Sequence, residues 1–437
     1  MEHYLGTHAC SCGKQHVMTI DELLVGKGVI NRLPELIRKY GAKKPFLLTD
    51  CNVYPVAGEM VCSILDSNSI SYKSYVFQNP NLEPNEEAVG SAIMHFDPSC
   101  DLVIGVGSGV INDIGKIVSN VSGKKYFIIG KAPSMDGYAS GTSSMAIDGL
   151  KVSLNSRCAD VIIGDTDILK KAPEHMIKAG LGDMLAKYVS IAEWRIAHIV
   201  TGEYYCERVA ELVRQALKKC VDNAAGLLQR DEKALEAVFE GLVITGLAMA
   251  FAGVSRPASG VEHYFSHVWD MRGLEFGTQV DLHGIQCAMA TLHAVKLYHE
   301  IKKVTPDFEK ASKYVNAFDA DLWNEELRAF FGKSAEAMIS LELKEKKYDK
   351  AKHPDRFAII KKNWENILQI IEEELPSYEN MQDIMRTIGI SWDLETIGIA
   401  GDVAKMTLKS SKDIRDKYVL SRLEWDLGVL VELCALM

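Results

Sequence analysis

The stretch "SRPASGVEHYFSHVWDM" (255–271) sets His263 and His267 four residues apart. On a helix that is about one turn, so both imidazoles can face the same way. The zinc-peptidase pattern needs Glu directly after the first His. Here Glu262 precedes it, so the pair needs partners from elsewhere. Downstream, "QVDLHGIQCAMAT" offers His283 where another helical pattern begins, and upstream "AGLGDMLAKY" offers Asp183. One carboxylate and two imidazoles leave a coordination position open, as a catalytic metal requires. An open divalent cation can polarise a carbonyl or acidify a bound hydroxyl. Each residue also has a plainer reading: a histidine in a helical core, or Asp183 as a helix cap.

A second motif, "GVGSGVINDIGK" (105–116), follows the apolar run "DLVI" and leads into a helical pattern. Glycines at 105, 107 and 109 let a backbone approach a pyrophosphate, and a helix N-terminus adds positive potential. The loop departs from the dinucleotide-binding pattern, because Val110 stands where the third glycine belongs. Asp50, at the end of "PFLLTD", precedes the loop instead of following it. If it meets an adenosine ribose it favours NAD over NADP. A tight strand–helix turn and an ordinary turn aspartate are the rival readings.

The stretch "HACSCGKQH" carries His8, Cys10, Cys12 and His16 within nine residues. Structural zinc usually takes a second ligand pair well downstream, so this stretch is read as an N-terminal loop. The ten cysteines show no framework of regular spacings, which fits reduced thiols in a cytoplasmic enzyme.

These residues need elements to position them. A chain of 437 residues is too long for one ordinary core and points to two domains. In residues 1–167, "PFLLTD", "YKSYVF", "DLVIGVGSG", "KKYFIIG" and "ADVIIGD" read as strands separated by helical stretches such as "VINRLPELIRKYG" and "NEEAVGSAIMHF". That alternation predicts an α/β domain with a mostly parallel, Rossmann-like sheet. "AIDGLKVSLNS" (146–156) reads as an inserted hairpin. Residues 168–437 show helical periodicity and predict an all-α domain. The Lys- and Glu-rich segment 301–376 reads as a solvated helical surface.

With 47% hydrophobic and 25% charged residues, the composition is that of a globular protein. A net charge of −10 argues against nucleic-acid or anionic-membrane partners. The apolar run "LVITGLAMAFAGV" (242–254) is too short to span a bilayer and predicts a buried helix. The first residues lack a secretory n-region and h-region.

The motifs "GVGSGVINDIGK", "APSMDGYAS", "GLGDMLAKY", "SRPASGVEHYFSH" and "DLHGIQ", in this order, resemble the sn-glycerol-1-phosphate dehydrogenase family. That family stands in the group with dehydroquinate synthase, glycerol dehydrogenase and iron-containing alcohol dehydrogenases. The resemblance runs from about residue 8 to 285 and returns at "SRLEWDLG" (421–428). It implies a dehydroquinate synthase-like fold, NAD or NADP as cofactor, and one divalent metal (zinc, nickel or iron) on Asp183, His263 and His283. It places the cofactor along Gly105, Gly107, Ser108, Gly109 and Asp113, with Asp50 at the ribose and Thr142 and Ser143 nearby. It sets His267 and Asp136 at the substrate. Relatives in the wider group often carry three consecutive glycines where this chain has "GVG", and segment 301–376 carries none of the motifs on which the resemblance rests.

The activity implied is reversible reduction of dihydroxyacetone phosphate to sn-glycerol 1-phosphate. His267 or a relayed water donates the proton, and Lys187 or Arg256 meets the phosphate. The expected partner is a small phosphorylated substrate, in a cytoplasmic homo-oligomer. The rivals are a polyol dehydrogenase with no phosphate pocket, a dehydroquinate-synthase-like lyase that recycles NAD, and a non-catalytic nucleotide-binding protein.

Overall fold

A computed structural model of the chain describes residues 8–17, 19–147 and 150–437. The chain divides into two compact units, Met1–Met184 with Glu211–Val254, and Leu185–Ala210 with Ser255–Met437.

The first unit is built on a six-stranded sheet. Its strands are β1 (Glu22–Gly26), β2 (Pro45–Asp50), β3 (Lys73–Phe77), β4 (Leu102–Gly107), β5 (Lys125–Gly130) and β8 (Val161–Asp165). They lie in the order β1-β8-β5-β4-β2-β3, and every pairing is parallel. Helices α1 (Leu33–Lys39), α2 (Glu59–Ser67), α3 (Glu86–His95) and α4 (Gly109–Ser122) make the crossovers between β1 and β5. Parallel strands covered on both faces read as continuous apolar runs, and β4 and β8 are buried at every position. Between β5 and β8 the strands β6 (Thr142–Ile147) and β7 (Leu150–Asn155) form the expected antiparallel hairpin. Asp148 and Gly149, between the two strands in sequence, lie outside the described residues.

The change of pattern at residues 167/168 marks the end of the strands, whereas the compact units divide elsewhere. Among the described residues, only helices follow Asp165. Beyond those that end by Leu185, α8 (Glu232–Ala252) and most of α7 (Glu207–Asp222) also belong to the sheet unit. The reason is close packing on two glycines. A Cβ at Gly130 or at Gly164 would sit 2.5 Å from the Phe239 ring of α8, so strands with side chains there could not admit the helix. By length and composition α8 could cross a membrane, but 72% of its most apolar window is buried inside the fold. It is a core helix, as its sequence suggested.

The second unit is helical. Helix α6 (Lys187–Thr201) packs with α9 (Val261–Phe276) and α10 (His283–Ile301). Helices from Phe308–Ala317 to Leu430–Cys434 complete it. Segment 301–376 does carry solvated charge, but its helices also bury Trp323, Phe331, Phe357, Ile360 and Ile367.

Residues 8–17 are more ordered than a loop. His8–Ala9 and Gln15–His16 pair as two-residue antiparallel strands.

Candidate active site

The sheet order fixes where the first unit can hold a ligand. From β2 the chain moves outward to β3, and from β4 it moves the other way to β5. Ligands of open parallel sheets bind outside the carboxyl ends of strands at such a reversal. Here those ends are Asp50 on β2 and Gly107 on β4.

Helix α4 begins at this point, with Ser108 as its N-cap and no acidic residue in its first turn. Its positive end is therefore not offset by its own sequence, which suits a phosphate. The glycines divide their work. A Cβ at Gly105 would meet the Tyr126 hydroxyl at 2.5 Å, and one at Gly107 would meet Ile111 at 2.6 Å. Both glycines thus permit internal packing, and Ser108 and Gly109 form the helix-start part of the loop. Asp50 Oδ1 accepts the Asn52 and Val53 N–H groups at 2.8 and 3.0 Å, the turn role its position allowed.

Asp113 lies 3.8 Å from the buried Lys116 ammonium. Lys116 donates to the Gly137 and Thr142 carbonyls at 2.7 and 3.1 Å, tying α4 to the loop ahead of the hairpin. Ser143 is fully buried, and its hydroxyl donates to the Asp113 carbonyl at 3.2 Å. That makes Ser143 a tie between β6 and α4, while Thr142 is the exposed member of the pair.

One cation here escaped the sequence reading. The Lys131 N–H donates to the Gly107 carbonyl at 2.9 Å. Its mostly buried ammonium is lowered in pKa by burial, with Asp50 acting in the opposite direction. A lysine directly after the apolar run "YFIIG" was its signal.

Asp183 and Asp136, 47 residues apart, come together in this unit. Asp183 is fully buried in α5 (Glu174–Leu185) and Oδ2 accepts the Asp136 N–H at 3.0 Å. It lies inside its helix and does not cap it. The approach depends on Gly180, one turn earlier, where a Cβ would fall 1.6 Å from the Pro133 carbonyl oxygen. A carboxylate this buried is stable when it faces positive charge.

In the second unit α9 and α10 bring three imidazoles together. The His263 and His283 ring centroids are 5.0 Å apart, and His267 lies 6.5 and 6.0 Å from them. His263 Nδ1 lies 2.8 Å from Glu262 Oε1. With Nδ1 donating to that carboxylate, the ring's lone pair lies on Nε2.

The His283 tautomer follows by satisfying each group in turn. Gln286 Nε2 donates to the Asp281 carbonyl at 3.0 Å and to Asp270 at 3.2 Å, so its Oε1 is the acceptor. Ser266 Oγ gives its one proton to that oxygen at 2.6 Å. It must then accept from His283 Nδ1 at 2.7 Å, so the lone pair of that ring lies on Nε2. Glu262, Ser266 and Gln286 are thus positioning residues that sequence reasoning missed.

Sequence reasoning also missed Cys287, a buried thiol 3.5 Å from His283 Nε2 and grouped with both His263 and His283. Burial raises its pKa, but the two imidazoles outweigh this and hold it below the ordinary value. The i,i+4 spacing from His283 on one helix was its signal.

Neither cation expected at a phosphate is presented for one. Arg256 is 1% exposed and forks onto Glu203 at 2.7 and 2.5 Å. Lys187 is fully buried and donates to the Ala258 carbonyl at 3.0 Å. Both hold the loop that precedes α9.

A family model described as iron-containing alcohol dehydrogenase matches residues 24–173. A glycerol-1-phosphate dehydrogenase [NAD(P)+] from Halalkalibacterium halodurans is 33% identical over 314 residues, covering 70% of this chain and 79% of the relative. Another of that name from Geobacillus stearothermophilus is 29% identical over 410 residues, covering 93% and 92%. Among solved structures, a glycerol dehydrogenase from Schizosaccharomyces pombe has the same fold with TM-score 0.63, at 14% identity, over 99% of this chain and 93% of that one.

Proposed function

This chain belongs to the glycerol-1-phosphate dehydrogenase family, within the iron-containing alcohol dehydrogenases, and from that premise we propose that it reduces dihydroxyacetone phosphate to sn-glycerol 1-phosphate with NADH or NADPH. The observation that carries the reading is the pair His263 and His283, rings 5.0 Å apart, each with Nδ1 engaged so that the lone pair lies on Nε2.

The resemblance adds Asp183 to this pair, and one carboxylate with two imidazoles is a donor set suited to zinc, nickel or iron. The cation, when bound, supplies the positive charge that polarises the substrate carbonyl, and the nicotinamide supplies the hydride. The chain's own residues do the rest. Glu262 and the Ser266–Gln286 pair hold the two ligating rings in one tautomer and orientation. His267, only partly buried, delivers a proton to the oxygen that gains charge, a role open to an imidazole. Asp136, fixed through its N–H to Asp183, orients the substrate hydroxyl. Ser108 and Gly109 at the start of α4 receive the cofactor pyrophosphate, with Lys131 as the adjacent cation and Asp50 at the ribose.

The test is the stereochemistry of the product. After reduction of dihydroxyacetone phosphate, the product is offered to an sn-glycerol-3-phosphate-specific dehydrogenase. Product that resists oxidation supports the assignment, and product that is consumed overturns it.

A further inference from the structure

A second set of soft ligands lies outside this site, in the hairpin at residues 8–17. We propose that Cys10, Cys12 and His16 bind a thiophilic divalent cation, zinc by preference, and that this ion pins the hairpin to the C-terminal end of α8. Each of the three offers a ligand atom, and these atoms lie within 4.8 Å of one another. A tight turn brings them together: the Cys10 N–H donates to the Lys14 carbonyl at 3.2 Å, and the Gly13 N–H to the Cys10 carbonyl at 3.0 Å. Gly13 takes the left-handed φ of 85° that closes the turn.

The independent observation is the setting of His16. It is buried, and its Nδ1 lies 2.9 Å from the Phe251 carbonyl. A carbonyl can only accept, so Nδ1 carries the proton and Nε2 is the ligand, 3.5 Å from Cys12 Sγ. A backbone carbonyl orienting the ring from its far side is the arrangement that supports metal-bound histidines. Lys14 donates to the next carbonyl, Ala252, at 2.9 Å. Phe251 and Ala252 form the last turn of α8, where helix carbonyls lack partners within the helix. The ion therefore fixes the two side chains that satisfy that helix end.

Structural zinc usually takes a second ligand pair well downstream, whereas here the turn itself supplies three donors. The His8 side chain lies outside the described residues. Binding releases two thiol protons to solvent, so the cation meets two thiolates and a neutral imidazole with no change of oxidation state. The fourth position of a tetrahedral ion falls to a donor outside these three residues.

The test uses the full chain. Wild-type protein is stripped with a chelator, alkylated with iodoacetamide with and without added zinc, and mapped by mass spectrometry. Zinc should slow alkylation of Cys10 and Cys12 while leaving Cys51 and Cys62 unchanged. Equal rates at Cys10 and Cys12 would overturn the proposal without any variant having to fold. In parallel, the Cys10→Ser/Cys12→Ser protein should hold one equivalent less zinc than wild type, and the His263→Ala/His283→Ala protein should retain zinc protection of Cys10 and Cys12. Zinc content unchanged by the cysteine substitutions, or protection lost with the two histidines, would each contradict it.

Discussion

Ser266 has one proton, and Gln286 takes it, so His283 can only donate to Ser266 through Nδ1. Removing that hydroxyl should free the ring to rotate or change tautomer. Ser266→Ala is therefore expected to weaken metal affinity about 10–100-fold, as loss of a partner behind a metal ligand does. Chelator competition reads this directly, and an unchanged affinity would deny the serine its positioning role. Losing a ligand should do more. His263→Ala and Asp183→Asn should each lower kcat by about a thousandfold, since preorganised charge at the developing oxyanion is of that order. Steady-state rates at saturating metal check it, and near-normal turnover would move the metal elsewhere. Cys287 sits against the same two rings, so Cys287→Ala should alter which metal best restores activity, because a soft thiolate favours thiophilic ions. Metal add-back in that variant decides the point.

At the scale of elements, the site depends on close approaches that only small residues allow. Gly180→Ala drives a Cβ to within 1.6 Å of the Pro133 carbonyl oxygen, so α5 must move and carry Asp183 with it. The expected cost is at least about 1–3 kcal/mol, as for other overpacked sites, together with weaker metal binding. A denaturant midpoint equal to wild type would show the approach to be unnecessary. This dependence explains what the sequence could and could not reveal. Strands such as "DLVIGVGSG" and "ADVIIGD" were legible because burial on both faces leaves continuous apolar runs. β1, "ELLVG", was missed: its partner β8 lies over 130 residues away, and it has no alternation of its own. The four-residue spacing of His263 and His267 was legible as one helix, which α9 is. The meeting of Asp136 and Asp183 was not, because it depends on Gly180 and Pro133, and no local pattern encodes that contact. α8 read correctly as a buried helix, but its place on the sheet depends on Gly130 and Gly164 receiving Phe239.

Over the whole molecule, the helical unit carries a buried acid that links stability to pH. Burial, and then the nearby Glu262, pushes Glu193 from its ordinary 4.5 up to about 8. Its folded pKa is raised, so the native state binds more protons than the unfolded chain between those values. This contribution to stability is complete below about pH 4.5 and is lost as pH rises through about 8. Glu193→Gln should flatten the pH dependence of the urea midpoint across that window, and a slope identical to wild type would contradict the assignment. The whole molecule is also the scale at which the reaction is tested. Its most direct test is NADH oxidation by protein stripped with a chelator and then given zinc, nickel or iron separately, with dihydroxyacetone phosphate or dihydroxyacetone as substrate. Metal-dependent oxidation is expected with the phosphorylated substrate and little with the other. Oxidation with unphosphorylated dihydroxyacetone alone would make the chain a polyol dehydrogenase, and silence with every metal and both cofactors would contradict the proposed reaction.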